Sequence, residues 1–158
     1  MLQKDKDLKV CFAASSGGHL QQLMMMKPLM DKYDSFIVTE KTDFAADTKG
    51  IPVHYLAQIN RKEWEFPFLL IKNIFCSLRV LHREKPDVVV TTGVLAVIPM
   101  CLFMKLAWKT VIFVESFANV NKGTLTGKLM YRFADRFYIQ WEDLQEIYPK
   151  AEYIGGIY

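Results

Sequence analysis

Short apolar runs alternate with longer stretches of helical spacing along the chain, and glycine, serine or proline stands at most of the changes. Residues 8–14, with Val10, Cys11, Phe12, Ala13 and Ala14, read as a buried strand. Ser15-Ser16-Gly17-Gly18-His19 breaks it, and 20–33 then reads as one helix carrying Leu20, Leu23, Met24, Met26 and Met30. Strands are expected at 35–39 and 53–57, with a polar connection over 40–50 and a loop over 58–62. A long helix over 64–83 ends just before Pro86. The rhythm then repeats: strand 87–91, turn Thr92-Gly93, helix 95–107, strand 110–114, a loop through Gly123 and helix 124–134. Strand 136–140, a short helix over 141–148 and a last strand at 153–154 complete the pattern. Apolar strands alternating with helices predict an α/β fold, a Rossmann-like, doubly wound parallel sheet covered on both faces. Residues 1–158 read as a single domain without repeats or a linker.

Composition narrows the function. With 51% hydrophobic residues the chain is not disordered, and a net charge of +3 is too small to suggest nucleic-acid binding. The excess is localised. Between residues 61 and 85 six cations (Arg61, Lys62, Lys72, Arg79, Arg83, Lys85) face three anions (Glu63, Glu65, Glu84), a surplus equal to that of the whole chain. Cys11, Cys76 and Cys101 lie far apart among apolar neighbours, which suits reduced thiols and offers no metal spacing. The start of the chain is charged and lacks the features of a signal peptide. Residues 88–104 carry no charge, but Thr91-Thr92-Gly93 and Pro99 interrupt them, so strand, turn and helix explain them better than a membrane span.

In such sheets ligands bind beyond the carboxyl ends of the strands, where strand order reverses. Three turns leave strand ends here: 15–19, 91–95 and 115–123. Gly17 and Gly18 open a helix, so backbone N–H groups there suit an anion, with Ser15 and Ser16 as hydroxyl donors. His19 brings a titratable imidazole to the same mouth, in place to take a proton from an attacking hydroxyl. A tight turn with a capping serine explains the same residues. Glu115 closes an apolar strand; it suits a sugar hydroxyl or the orientation of a loop, and equally a structural acid capping nearby N–H groups. Asn119, Asn121 and Thr124 suit a hydrogen-bonding loop or an ordinary turn.

The helix over 64–83 is unusual for one that covers a sheet. At about 100° per residue, Arg61, Glu65, Lys72, Arg79 and Arg83 share one stripe, while Trp64, Phe66, Phe68, Leu70, Ile71, Ile74, Phe75, Leu78 and Leu81 spread over roughly 200°. That apolar surplus, rimmed by cations, suits the headgroup region of an anionic membrane, with Trp64, Phe68, Ile71, Lys72, Phe75, Arg79 and Arg83 as docking residues. A partner or a crowded core covering the same surface is the alternative.

Several stretches resemble the acceptor-binding subunit of two-subunit glycosyltransferases of the GT-B type. They are Ala14-Ser15-Ser16-Gly17-Gly18-His19-Leu20, Lys85-Pro86-Asp87-Val88-Val89-Val90-Thr91-Thr92-Gly93, Val114-Glu115-Ser116-Phe117, Thr124-Leu125-Thr126-Gly127-Lys128, Gln140-Trp141-Glu142, Tyr148-Pro149-Lys150-Ala151 and Gly155-Gly156-Ile157. Bacterial members of that group serve capsule and exopolysaccharide assembly; a eukaryotic relative is the membrane subunit of an N-acetylglucosaminyltransferase of N-glycan assembly. The pattern is also similar to the N-terminal half of the peptidoglycan glycosyltransferase that forms lipid II. The resemblance implies the first half of a GT-B enzyme, holding a polyprenyl-diphosphate-linked saccharide acceptor such as an undecaprenyl diphosphate sugar. A small separate subunit is then the expected partner, supplying the site for a UDP-sugar, and this chain alone is not expected to be active. Ser15, Ser16, Gly17, Gly18 and His19 match the first loop, which faces the acceptor diphosphate, with His19 as base; Gly93 matches the second loop and Glu115 the third. Thr92-Gly93-Val94-Leu95 carries one glycine where the peptidoglycan enzyme has a pair, and Val114 stands where that enzyme has a histidine. No cofactor is implied. The eukaryotic subunit's N-terminal anchor has no counterpart, so peripheral attachment at the cytoplasmic face of the plasma membrane is expected.

Two other classes compete. One is a non-catalytic scaffold that recruits a partner already competent for transfer. The other is a free-standing nucleotide-binding protein; against it, the first loop lacks the third glycine of G-x-G-x-x-G, and the next 20 residues or so are expected to hold a helix and loop rather than an acidic strand end.

Overall fold

A computed structural model describes residues 5–43, 46–60, 64–93 and 95–157. Residues 1–4 of the charged start, Arg61, Lys62 and Glu63 of the basic segment, and Val94 of the second turn lie outside the described residues. Seven strands form one sheet: β1 (Asp5–Ala14), β2 (Tyr33–Glu40), β3 (Val53–Leu56), β4 (Val88–Gly93), β5 (Thr110–Val114), β6 (Arg136–Ile139) and β7 (Glu152–Tyr153). Every pairing is parallel, and the order is β3-β2-β1-β4-β5-β6-β7. The helices are α1 (Gly18–Met24), α2 (Lys27–Lys32), α3 (Phe66–Glu84), α4 (Ile98–Leu106) and α5 (Leu125–Met130).

Strand side chains alternate between two cores, as the period of 2 requires. Val10, Phe12 and Ala14 of β1 meet Leu20 and Leu23 of α1 and Met30 of α2, whereas Cys11 and Ala13 meet Val80 of α3, Met100 and Met104 of α4 and Met130 of α5. The sheet is therefore covered on both faces and doubly wound, as expected. Strand order reverses between β1 and β4, whose following helices lie on opposite faces, so a crevice opens at their carboxyl ends.

Several boundaries depart from the sequence pattern. The helix expected over 20–33 is two helices. Pro28 sits in the first turn of α2 and has no N–H to give to the preceding turn, and α1 closes with short bonds from Met25 N–H to Gln22 (3.2 Å) and Met26 N–H to Leu23 (3.0 Å). The helix expected over 95–107 begins with a 3-10 turn, Leu95–Val97. The segment over 141–148 forms only a 3-10 turn, Glu142–Glu146, and α5 ends at Met130, four residues early, in tight turns closed by Met130. Among the described residues no helix is long and apolar enough to cross a membrane. Cys11 and Cys101 are buried, which pushes the Cys101 thiol up to about 12; Cys76 is half-buried, and all three are free.

Candidate functional site

The turn after β1 is built on Gly17. Its φ of +76° with ψ of −138° is a conformation L side chains rarely adopt, although a Cβ there would meet nothing within 4 Å. The glycine is needed for the bend rather than for space. No side chain caps α1, so the capping-serine explanation does not hold, and α1 itself is only 7 residues long. Ser15 is buried, Ser16 and His19 are half-buried, and Gly17 and Gly18 are exposed.

These residues do not converge on one mouth. His19 lines a cleft of about 240 Å³ with Ile59, Thr92, Gly93, Leu95, Thr124 and Thr126. Ser16 and Gly17 instead line a larger cleft of about 710 Å³ on the other side, with Leu20, Met24, Thr39 and Glu40 among its walls. Gly93, with φ of +88°, joins the first cleft where β4 ends; a Cβ on it would come within 2.9 Å of the Phe113 ring. Its N–H donates to Thr91 Oγ1 at 3.0 Å.

His19 is fixed from below: Thr92 Oγ1 donates to its carbonyl at 3.3 Å. Its Nδ1 is buried without a hydrogen-bond partner among the described residues. Burial lowers the imidazole below its ordinary 6.5, while the negative charge of Glu115 and the nearby Thr92 backbone pull the other way. The ring is thus held as a neutral base near pH 7.

Glu115 is fully buried at the end of β5 and is surrounded by donors. Its carboxylate accepts the N–H of Ser116 (2.9 Å), the N–H of Thr124 (3.3 Å), the Thr124 hydroxyl (3.1 Å) and the Tyr148 hydroxyl (2.9 Å). Burial, then the Glu115 charge, pushes the Tyr148 phenol well up, so it stays a donor. The Thr124 hydroxyl also accepts the Gly127 N–H at 2.7 Å, capping α5. Glu115 therefore clasps the β5–α5 loop, and two walls of the His19 cleft, Thr124 and Thr126, belong to the clasped segment. Of the three readings its sequence position suggested, the geometry fits both the orientation of the loop and the capping of nearby N–H groups. Asn119 sits in a turn, its N–H donating to Ser116 at 3.0 Å, and is not among the residues lining the His19 cleft.

Sequence spacing did not single out Tyr148, Ile59 or Thr126, although Thr126 and Tyr148 lie inside matched stretches. The Gln140-Trp141 stretch also gains a role: Gln140 Nε2 donates to the Glu115 carbonyl (2.8 Å), and Trp141 Nε1 to the Phe117 carbonyl (2.7 Å). The sequence expectation that no acidic strand end follows the first loop is corrected, because β2 ends in the buried acid Glu40. Among the described residues no cluster of three or more His, Cys, Asp or Glu side chains is placed to hold a metal.

Residues 39–157 match the family described as oligosaccharide biosynthesis protein Alg14 like. The chain belongs to this Alg14-like family. Among its relatives, the UDP-N-acetylglucosamine transferase subunit ALG14 of Yarrowia lipolytica is 29% identical over 96% of this chain and 82% of its own length. The protein of that name from Rattus norvegicus is 26% identical over 96% of this chain and 84% of its own. Acinetobacter baumannii MurG has a similar fold, with a TM-score of 0.68 and 20% identity over 84% of this Alg14-like chain; the match spans 41% of MurG. The GT-B half-fold expected from the sequence is the fold observed.

Along the face expected to dock, Trp64 (80% exposed), just ahead of α3, and Phe68, Ile71, Phe75 and Leu78 of α3 form one exposed stripe, roughly 80° wide at about 100° per residue. Lys72, Arg79 and Arg83 flank it, also exposed. The inner face of the helix holds Asn73, Ser77 and Val80. Cys76 and Leu81 also pack against the core from this helix, so its inner face mixes polar and apolar side chains while large apolar side chains turn outward.

Proposed function

We propose that this chain is the acceptor-binding, membrane-docking subunit of a UDP-sugar-dependent glycosyltransferase acting on a polyprenyl-diphosphate-linked saccharide. The observation that carries this is the outer face of α3: an exposed aromatic and aliphatic stripe with cations along one edge, on the molecule whose strand-end crevice holds a neutral histidine. The relatives' name supports a subunit of a UDP-sugar-dependent transferase, since it specifies a subunit and points to UDP-N-acetylglucosamine as donor. A small donor-binding subunit closing over the carboxyl ends of the strands completes the active site. In that arrangement the first loop, with Ser15, Ser16, Gly17 and Gly18, faces the acceptor diphosphate. His19 Nε2 takes the proton of the attacking sugar hydroxyl, Gly93 lets the acceptor approach β4 closely, and Asn119 lies in the loop held by Glu115. Residues 1–158 act as one GT-B half-domain, attached peripherally to an anionic, cytosol-facing membrane. The relatives named here are eukaryotic, so the capsule or exopolysaccharide setting and the plasma membrane drop out of the proposal. Offering undecaprenyl and dolichyl diphosphate sugars side by side decides the carrier.

The test is reconstitution. Purified chain with lipid-linked acceptor and UDP-N-acetylglucosamine gives little transfer until the donor-binding subunit is added; vigorous transfer by this chain alone overturns the division of labour. Binding to anionic vesicles weakens with salt and when Lys72, Arg79 and Arg83 are changed to Glu, by at least about 3 kcal/mol or roughly a hundredfold. Binding indifferent to both means that the stripe meets a protein instead. A scaffold role is favoured by one observation, the complete engagement of Glu115, which leaves His19 as the one proposed catalytic side chain lining the cleft. His19→Ala separates the two: lost turnover with intact partner and vesicle binding marks a catalytic half, and unchanged turnover marks a scaffold.

A further inference from the structure

Asn73 is fully buried on the inner face of α3, and both ends of its amide are engaged by one residue. Nδ2 donates to the Ala57 carbonyl at 2.8 Å, and the Ala57 N–H donates to Oδ1 at 2.8 Å. The side chain mimics a strand partner and pins the residue after β3 to the middle of the helix. Two residues on, Ile59 forms a wall of the His19 cleft, and its N–H donates to Glu40 Oε1 at 3.2 Å. Glu40 ends β2, is 6% exposed, and lines one cleft with Ser16 of the first loop, whose backbone N–H favours its carboxylate. Burial raises its carboxyl pKa, and those two N–H groups pull it back. The backbone over 57–59, outside any strand or helix, is thus tied to α3 on one side and to the first loop on the other.

We propose that Asn73 and Glu40 are positioning residues forming a strut that sets the docking face of α3 at a fixed offset from the first loop and His19. Resting on the docking role proposed above, the strut matters only for an acceptor whose diphosphate is held at the bilayer surface. Its reacting hydroxyl meets His19 only when the helix seated in the headgroups carries the cleft to the right height. A short-chain acceptor free in water enters the cleft without registering that offset.

The experiment compares wild type with Asn73→Ala in the reconstituted two-subunit enzyme, after thermal melts confirm folding. One acceptor is long-chain and embedded in phosphatidylglycerol-containing vesicles; the other is a short-chain, water-soluble analogue. Vesicle binding should stay within about twofold. kcat/KM on the embedded acceptor should fall about tenfold or more, since a misplacement near 1 Å costs up to roughly a hundredfold. The soluble acceptor should stay within about twofold. Equal losses on both acceptors, or no loss on either, overturn the strut. Absence of vesicle binding in the wild type overturns the docking proposal instead. Glu40→Gln keeps an acceptor oxygen at the same reach and should lose less than about threefold on either acceptor; a larger loss overturns its part in the strut. Should Asn73→Ala not fold, amide exchange on the unaltered chain decides: the Ala57 and Ile59 amides should be protected at least about a hundredfold, and fast exchange at either overturns the proposal.

Discussion

The Glu115 clasp makes a sharp quantitative prediction through a glycine that looks innocuous. Gly127 lies within α5, where alanine ordinarily stabilises a helix by about 1 kcal/mol relative to glycine. Here a Cβ would stand 2.0 Å from Glu115 Oε2, 2.7 Å from the Tyr148 hydroxyl and 2.8 Å from Thr124 Oγ1. The carboxylate has nowhere to retreat, because Ser116, Thr124 and Tyr148 already hold it. Overpacking costs about 1–3 kcal/mol, and losing one hydrogen bond to a buried charge costs about 1.5–3 kcal/mol more. Against the helix gain, Gly127→Ala should destabilise by about 1.5–5 kcal/mol, or roughly 3–20 °C in melting temperature for a chain of this size. Tyr148→Phe removes one donor and should cost about 2 kcal/mol. Because both changes act on one carboxylate, the double variant should fall short of their sum by about 1 kcal/mol. Thermal melts followed by circular dichroism measure all three. A Gly127→Ala variant as stable as wild type, or more so, refutes the placement of the carboxylate and with it the orienting role of Glu115.

Gly93→Ala combines a φ of +88° with a Cβ 2.9 Å from the Phe113 ring, so a loss of about 2–4 kcal/mol is expected in urea melts; a neutral change contradicts the close approach of β4 and β5. For His19, burial disfavours the imidazolium, so the folded-state pKa lies below the unfolded 6.5, and the stability present above 6.5 is lost as pH falls from there through the lower folded value. The acid limb of kcat/KM should therefore lie below pH 6.5 and move lower in Glu115→Gln, which removes the opposing negative charge; a limb at or above 6.5 contradicts the buried, neutral base.

The sequence pattern carried the alternation of strands and helices, and all seven strands lie within a few residues of their expected places, because buried parallel strands are nearly continuous apolar runs. It failed where local chemistry overrode periodicity. The methionine-rich stretch from Leu20 keeps its helical spacing through Pro28, yet a proline without an N–H divides it. For the site, the glycine turns were legible because a positive φ leaves a residue-type signature. The convergence of His19 with Thr124, Thr126 and Ile59 was not, since it depends on the segments that follow β1, β3 and β5 meeting. Nor does a one-dimensional pattern tell that Tyr148, 33 residues after Glu115, returns its hydroxyl to that carboxylate. Strand order makes such pairs neighbours, and strand order is a property of the sheet.

The last consequence concerns α3, where the exposed aromatics make opposite demands on stability and on docking. Phe68 and Phe75 are 66% and 67% exposed, so neither contributes much to the folded core. Replacing both with Gln removes no buried area of consequence and exchanges phenylalanine for a somewhat better helix former. The melting temperature should therefore move by less than about 2 °C. Lipid affinity should respond very differently: seating a phenylalanine side chain in an apolar phase is worth about 2 kcal/mol, so losing two weakens vesicle binding by about 4 kcal/mol, nearly a thousandfold. Sedimentation with anionic vesicles, alongside melts of the same preparations, reads both numbers. A marked fall in melting temperature with vesicle binding retained shows that the two rings pack against the protein's own core, and refutes the stripe as a lipid face. Asn73 has a reason to be buried within the fold, because its amide closes on Ala57, whereas nothing in the fold covers Phe68 and Phe75; a bilayer in contact with the helix would.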